Sequence, residues 1–255
     1  MNKKADERLV RYLIQADQIM IFTGAGISTG SGIPDFRGPQ GVWKKHQPVY
    51  YQDFMISEAA RVEYWNQKLE GWEGFCQAQP NPVHEAVSKL ERSGKICMVV
   101  TQNIDGLHAK AGTSREKLVE LHGTNLEVEC QMCHDRSDPA PHFERFRTTQ
   151  TAPLCSKCSG YLKPATISFG QGLRETDMQR AAQAAEQADL VIALGSTLSV
   201  HPAASFPIMA ANRGIPYVII NRGLTDHDTH QTVSLRLEGD VVEIFPPAVL
   251  AAVSN

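Results

Sequence analysis

Two Cys-x-x-Cys pairs, Cys130 with Cys133 and Cys155 with Cys158, stand 21 residues apart. Each pair can put two thiolates on one side of a turn, and two such turns complete a tetrahedron around one ion. The spacing is that of a zinc ribbon. Four thiolates leave no open position for water or substrate, so the expected role is structural. A small irregular segment has little core of its own, and a bound ion offsets that. A redox dithiol pair and an iron site are the competing readings. The remaining cysteines, Cys76 in a helical stretch and Cys97 in an apolar run, read as small core residues.

Other candidate groups lie upstream. An apolar run ends in Gly24-Ala25-Gly26-Ile27-Ser28-Thr29. Glycines there let the backbone approach a pyrophosphate, and a helix N-terminus would favour its charge. The turn departs from G-x-G-x-x-G, since Thr29 holds the third glycine position. Next comes Gly32-Ile33-Pro34-Asp35-Phe36-Arg37-Gly38, which adds a carboxylate, a ring and a guanidinium beside the turn. Those groups suit a nucleotide; a capped loop with a surface arginine is the bland alternative. Gln102-Asn103-Ile104-Asp105 follows another apolar run and offers carboxamides and a carboxylate to ribose or amide groups, or forms an Asx-type turn. His122-Gly123 lies between that run and the cysteines. A lone histidine is more often structural than catalytic, but this one falls at an expected domain cleft. Thr225-Asp226-His227-Asp228-Thr229-His230 reads as a solvated, cap-rich loop rather than a metal site. His84, His108 and His201 read as structural. A metal clip, a nucleotide turn and a histidine together suggest an enzyme that consumes a nucleotide.

Positioning these groups requires buried strands. Residues 18–22, 96–100, 190–194 and 217–220 are continuous apolar runs, each ending in small or polar residues. Helical patterns over 4–17, 57–78, 82–93, 176–187 and 202–213 separate them. The alternation predicts an α/β fold, a Rossmann-like doubly wound parallel sheet, with ligands beyond the carboxyl ends of the strands. Residues 36–80 are aromatic and helical, and 124–165 hold the cysteines; both read as insertions forming a smaller domain, a helical module with a four-cysteine zinc ribbon. The main domain then comprises 1–35, 81–123 and 166–255.

Composition narrows the function class. Hydrophobic residues at 42% and charged residues at 21% are ordinary for a globular chain. A net charge of -3 gives no electrostatic grip on nucleic acid or anionic membrane. No 18-residue apolar run or secretory core appears. A cytoplasmic location, with thiols free for metal, is expected.

Taken in order, these motifs, with Phe169-Gly170, Gly195-Ser196-Thr197-Leu198 and Asn221, resemble the sirtuins, the NAD-dependent protein deacylases, over roughly residues 15–250. The resemblance implies NAD as cofactor, a structural Zn held by Cys130, Cys133, Cys155 and Cys158, and an acyl-lysine protein or peptide as partner. Gly24, Ala25, Gly26, Ser28, Thr29, Asp35, Phe36, Arg37 and Trp43 would line the cofactor from the first turn and loop. Gln102 and Asn103 would hold the nicotinamide ribose, with Ile104 and Asp105 in the nicotinamide pocket. Gly195, Ser196, Thr197, Asn221, Arg222, Gly223 and Val241 would hold the adenosine half. Phe169 and Gly170 would meet substrate, the peptide adding as a strand between segments 168–172 and 199–202. In the implied reaction the acyl amide oxygen attacks the anomeric carbon of the nicotinamide ribose. His122, with Asn103 as the other catalytic residue, acts as general base on a ribose hydroxyl, and the products are lysine, nicotinamide and O-acyl-ADP-ribose. An NAD glycohydrolase or mono-ADP-ribosyltransferase on the same scaffold is the alternative. Two departures stand out. Gln171 replaces the usual glutamate. Trp65 and Lys68 stand nearest to the Tyr and Arg that other members use for acidic acyl groups, so neutral acyl groups are expected.

Overall fold

The computed structural model describes residues 6–35, 41 and 45–254. Its centre is a six-stranded, wholly parallel sheet of β1 (Ile19–Thr23), β2 (Ile96–Thr101), β3 (Leu118–Glu120), β7 (Leu190–Leu194), β8 (Tyr217–Asn221) and β9 (Leu235–Glu238), in the order β3-β2-β1-β7-β8-β9. A second sheet, of antiparallel pairs, joins β5 (Arg136–Ser137), β4 (Gly123–Cys130) and β6 (Leu162–Thr166), in the order β5-β4-β6. With that sheet set aside, the six parallel strands follow the Rossmann order 3-2-1-4-5-6, whose direction of winding reverses beside β1.

The central strands read as unbroken apolar runs because both faces are covered. In β1, Ile19 and Ile21 pack with α1 (Glu7–Gln15), α5 (Pro82–Arg92) and α10 (Val241–Val253). Its alternate residues Met20 and Phe22 pack with α8 (Glu175–Gln187) and α9 (Ser205–Ala211). Local signals set the helix starts: Asp6 caps α1, and Asn81, followed by Pro82, caps α5 in a capping box completed by His84.

Several expected bounds move. The stretch 57–78 is two helices, α3 (Glu58–Glu70) and α4 (Trp72–Gln77), because Gly71 ends the first. The 202–213 pattern contracts to α9, as residues 201–204 form turns. α10 was not expected, since it carries Pro246 and Pro247 internally. Burial of Phe245, Ala248 and Val249 against α1 and α5 outweighs the proline cost.

The insertions share one core of their own. Phe54 of α2 (Tyr51–Ile56) and Tyr64 and Trp65 of α3 pack with Val128, Phe143 and Phe146, the last two from α7 (Pro139–Thr149). Trp65 donates its indole N–H to the Leu162 carbonyl at 3.1 Å, and Trp72 stacks on Phe143 at 4.1 Å.

Candidate active site and metal centre

The carboxyl ends of β1, β2, β7 and β8 open on one cavity of about 1030 Å³ between the parallel sheet and the insertions. That is the top of the roughly 300–1,000 Å³ range usual for ligand sites. Gly24, Ala25, Gly26, Thr29, Asp35, Gln102, Asn103, Ile104, His122, Phe169, Gly170, Gly195, Ser196, Thr197, Asn221, Arg222, Gly223 and Val241 all line it. Phe36, Arg37 and Trp43 lie outside the described residues.

The glycine turn differs from its expected form. No regular helix starts there; Ala25–Ile27 and Thr29–Ser31 are single 3-10 turns. A further demand for glycine comes from the neighbouring turn. A Cβ at Gly26 would lie 2.8 Å from the Gly195 carbonyl oxygen, and one at Gly195 would lie 2.6 Å from the Ile27 nitrogen. The β1 and β7 turns cross backbone against backbone, and the Gly26 N–H donates to the Gly195 carbonyl at 2.8 Å.

Behind the turn lies a buried polar network. Asn103 donates its amide to the Gly24 carbonyl and to Ser28 Oγ, both at 3.1 Å. Ser28 Oγ donates to Asp105 Oδ2 at 2.7 Å. The N–H of Leu107, which opens the one-turn helix α6 (Leu107–Lys110), donates to Asp105 Oδ1 at 2.9 Å. Ser28 and Asp105 therefore sit behind the cavity wall, holding Asn103, and do not line it. Gln102 donates to Ser196 Oγ at 2.8 Å and ties two strand ends together.

Deeper still, His84 and His108 meet edge to face, with centroids 5.0 Å apart. His84 Nδ1 accepts from the Asn81 N–H, leaving a buried Nε2–H without a partner. Thr23 Oγ1 donates to Thr101 Oγ1, so it accepts from His108 Nε2, leaving His108 Nδ1 as an unmatched acceptor. Both rings are neutral. Burial pulls His84 down to about 4, against a counteracting pull from Asp105, and burial plus His84 pull His108 down to about 3.

His122 stands at the start of β4, reached from β3 through Leu121. Its Nδ1 lies 3.0 Å from the Gln102 carbonyl. A carbonyl only accepts, so Nδ1 carries the proton and Nε2 keeps a free lone pair. Burial lowers the imidazole pKa, and the Gln102 bond partly opposes that. Gly123 is required beside it: φ is +71°, and a Cβ would lie 2.1 Å from the Ala165 carbonyl oxygen.

The remaining wall runs from β6 to α8. Gln171 Oε1 accepts from the Ser168 N–H at 3.1 Å and closes the 168–171 turn, a task needing an acceptor but no charge. The turn is held from α2: Tyr51 N–H donates to the Phe169 carbonyl and Gln52 to the Gly170 carbonyl, at 2.9 and 3.0 Å. One reading of the helical insert is corrected. Trp65 is fully buried in the insert core, because its indole N–H reaches Leu162 rather than the cavity. Tyr64 and Gln67 line the cavity in its place, beside Lys68, and Tyr64 bonds Thr166 Oγ1 at 2.9 Å. Helical phase within 57–78 was the available signal. His201 also lines the cavity, Cys76 is exposed, and His227 is buried against Tyr217 rather than solvated.

The four cysteines converge. Their Sγ atoms all lie within 4.8 Å of one another, with Cys130–Cys158 at 3.5 Å and Cys133–Cys155 at 3.8 Å. Tetrahedral zinc with Zn–S bonds of about 2.3 Å puts sulfurs about 3.8 Å apart, so the set fits zinc. Backbone N–H groups of Met132 and Lys157 point at Cys130 and Cys155 at 3.4 Å, suiting thiolates. Among the described residues no other His, Cys, Asp or Glu group gathers ligand atoms this way.

A model of the Sir2 family matches residues 24–202, which include the first turn, His122 and all four cysteines. The chain belongs to the Sir2 family. An NAD-dependent protein deacetylase of Rhodopseudomonas palustris is 40% identical over 95% of both chains. NAD-dependent protein deacetylase 1 of Bradyrhizobium diazoefficiens is 42% identical over 95% of this chain and 94% of its own. Among solved structures, a Sir2 variant with a deacetylated p53 peptide and 3'-O-acetyl ADP ribose superposes with TM-score 0.88 at 36% identity, covering 96% of this chain and 97% of that one. A Sir2 complex with p53 peptide and NAD+ gives 0.86 at 34%, covering 97% and 98%. These likenesses span the Sir2 sheet and both insertions, so the cavity between them belongs to the shared fold.

Proposed function

We propose that the protein is an NAD-dependent protein-lysine deacylase acting on acetyl-lysine and other neutral acyl-lysines. The observation that carries this reading is one cavity holding Asn103, His122 with a free Nε2, and the 168–172 turn. NAD supplies an anomeric carbon whose nicotinamide departs under attack by the acyl oxygen. Asn103, fixed by Gly24 and Ser28, holds the ribose beside it, and Asp105 acts through Ser28 to keep Asn103 in place. An amide oxygen is a weak nucleophile, so walls that align it and exclude water matter more than any single bond. With NAD bound, His122 would accept the ribose hydroxyl proton on Nε2, and its lowered pKa favours the neutral form that does so. Gly195, Ser196, Thr197, Asn221, Arg222, Gly223 and Val241 receive the adenosine half. Phe169 and Gly170 border the acyl-lysine, and the peptide lies between 168–172 and 199–202. Zinc at the four cysteines holds the insertion and takes no part in the chemistry. No helix is long and apolar enough to cross a membrane among the described residues, and a cytoplasmic site of action is part of the proposal.

The test is incubation with NAD and acetyl-, long-acyl- and succinyl-lysine peptides, following nicotinamide and peptide mass together. Matched nicotinamide release and acyl loss are expected, and His122→Ala should lower the rate by about 10²–10⁴-fold. The acid limb of kcat/KM should lie below about pH 6.5, because a lowered pKa leaves His122 neutral above that point. Nicotinamide release without deacylation would instead indicate NAD hydrolysis or ADP-ribosyl transfer.

A further inference from the structure

The loop between β8 and β9 contains the Thr225–His230 run, which none of the roles above uses. The residues that lead into it, Asn221 to Leu224, line the same cavity as His122. Beyond Asn221, the last residue of β8, they make no regular structure, and Gly223 sits at φ +84°. Asn221 Nδ2 donates to the Arg222 and Gly223 carbonyls at 3.1 Å, and a guanidinium arriving from β9 binds the same segment. Arg236 donates from Nη1 to the Asn221 carbonyl at 3.0 Å and from Nη2 to the Gly223 carbonyl at 2.6 Å. Its Nε donates to Asp228 Oδ1 at 2.8 Å, and Nη2 also meets Glu238 Oε2 at 2.9 Å.

The acceptors are themselves tied to the loop. Asp228 Oδ2 accepts from the Thr225 N–H at 3.1 Å, and Glu238 Oε1 accepts from the Gly223 N–H at 2.8 Å. The Asp226 N–H donates to the Thr197 carbonyl at 3.0 Å, joining this loop to the β7 turn on the neighbouring wall. Arg236 and Asp228 are about one-fifth exposed, 20% and 18%, so the pair is shielded more than a surface ion pair and its planar fork is fully used. Arg236 does not itself line the cavity. Nη1 also donates to the Leu237 carbonyl at 2.6 Å, and lysine could not replace Arg236, because a point charge cannot hold three carbonyls and two carboxylates at once.

We infer that Arg236 is a positioning residue for the adenosine half of the cofactor: it clamps residues 221–228 into the wall that receives the nucleoside, without touching it. The inference rests on the NAD reading above. Removing the clamp leaves the loop to order itself when ligand binds, so the cost falls on cofactor affinity rather than on the chemical step.

The test compares wild type with Arg236→Met by calorimetric titration with ADP-ribose and by steady-state kinetics with an acetyl-lysine peptide. The ADP-ribose Kd and the KM for NAD should rise about tenfold, equivalent to about 1.4 kcal/mol. The kcat and the KM for peptide should stay within about twofold. A folded Arg236→Met that binds ADP-ribose as wild type does, or that loses kcat and both KM values together, overturns the inference. Should Arg236→Met fail to fold, Asp228→Asn decides by the same titration: weakened ADP-ribose with unchanged kcat supports the clamp, and wild-type affinity overturns it. Wild type that binds no ADP-ribose removes the NAD reading itself, a result distinct from failure of the clamp alone.

Discussion

The parallel sheet and the insertions solve the same problem with different means. The two sheet-facing clusters hold 24 and 20 buried residues, nearly all aliphatic or alanine, from strands that are continuous apolar runs. The insert cluster holds ten, and two of those, Cys130 and Cys155, are thiols of the metal centre. Its other members are largely aromatic, gathered from α2, α3 and α7 around short strands. A sheet layered between helices gains enough from burial alone; a small, irregular module does not, and it closes its turns around an ion. Because the cavity lies between the two, its walls are unequally held.

The largest effect should come from the metal. Chelation, or Cys130→Ser, should open the 124–165 segment to protease and lower deacylation at least ~100-fold by displacing the 168–172 turn. Far-ultraviolet circular dichroism should keep most of its helical signal, since α1, α5, α8, α9 and α10 pack on the parallel sheet. Unchanged activity in the metal-free protein would show that the insert stands on its aromatic core, and the contrast would collapse.

Next in size is a matched pair of truncations. Trp65→Ala and Phe22→Ala each remove a fully buried ring, at a typical cost of about 3–5 kcal/mol. Native-state hydrogen exchange should localise the first loss to α2–α4, β4, β6 and α7, while the second should lower protection throughout the parallel sheet. Protection lost everywhere in both variants would mean one cooperative unit.

The sheet half also carries a pH liability, the neutral pair His84 and His108. Their folded pKa values, about 4 and about 3, lie below the unfolded value near 6.5. Above about pH 6.5 both states are neutral and no cost arises. As the pH falls below about 6.5 the unfolded chain binds protons first, and stability declines by at most about 1.4 kcal/mol per histidine per pH unit. Urea midpoints at pH 7 and pH 5 should therefore differ by less in His108→Asn than in wild type. Equal slopes would mean that His108 is not held neutral.

Legibility in the sequence follows the same divide. The strands and the turns ending them could be read because burial on both faces leaves unbroken apolar runs, and the cysteines because ligand spacing is local. Gly24, Gly26, Asn103, His122 and the residues that end β7 and β8 were legible, through motif order, as one set lining a cavity. What was hidden depends on contacts between distant segments. Ser28 and Asp105 look like cavity residues in sequence, but their mutual hydrogen bond places them behind it. The crossing of the Gly26 and Gly195 backbones likewise joins turns far apart in sequence. In α3, an error of one residue in helical phase put Trp65 where Tyr64 belongs. Arg236 gave no signal, because its five partners are spread from 221 to 238.

The smallest effect concerns Lys68, at the insert side of the cavity. Three residues from Tyr64 stands Gln67, which is neutral, and Lys68 donates only a long 3.4 Å bond to Asn125 Oδ1. Burial lowers its pKa to about 8, so most molecules still carry the charge at pH 7 and fewer do at pH 9. An acetyl group offers that ammonium nothing to pair with, so Lys68→Met should change kcat/KM for acetyl-lysine peptide by less than about twofold. The informative arm is succinyl-lysine peptide. If wild type removes succinyl efficiently, and Lys68→Met abolishes only that, the ammonium reads the acyl carboxylate and the preference for neutral acyl groups is wrong. If both proteins ignore succinyl-lysine, the neutral Gln67 decides the pocket, and Lys68 serves the wall by lying near the Tyr64 ring, 5.5 Å from its centroid.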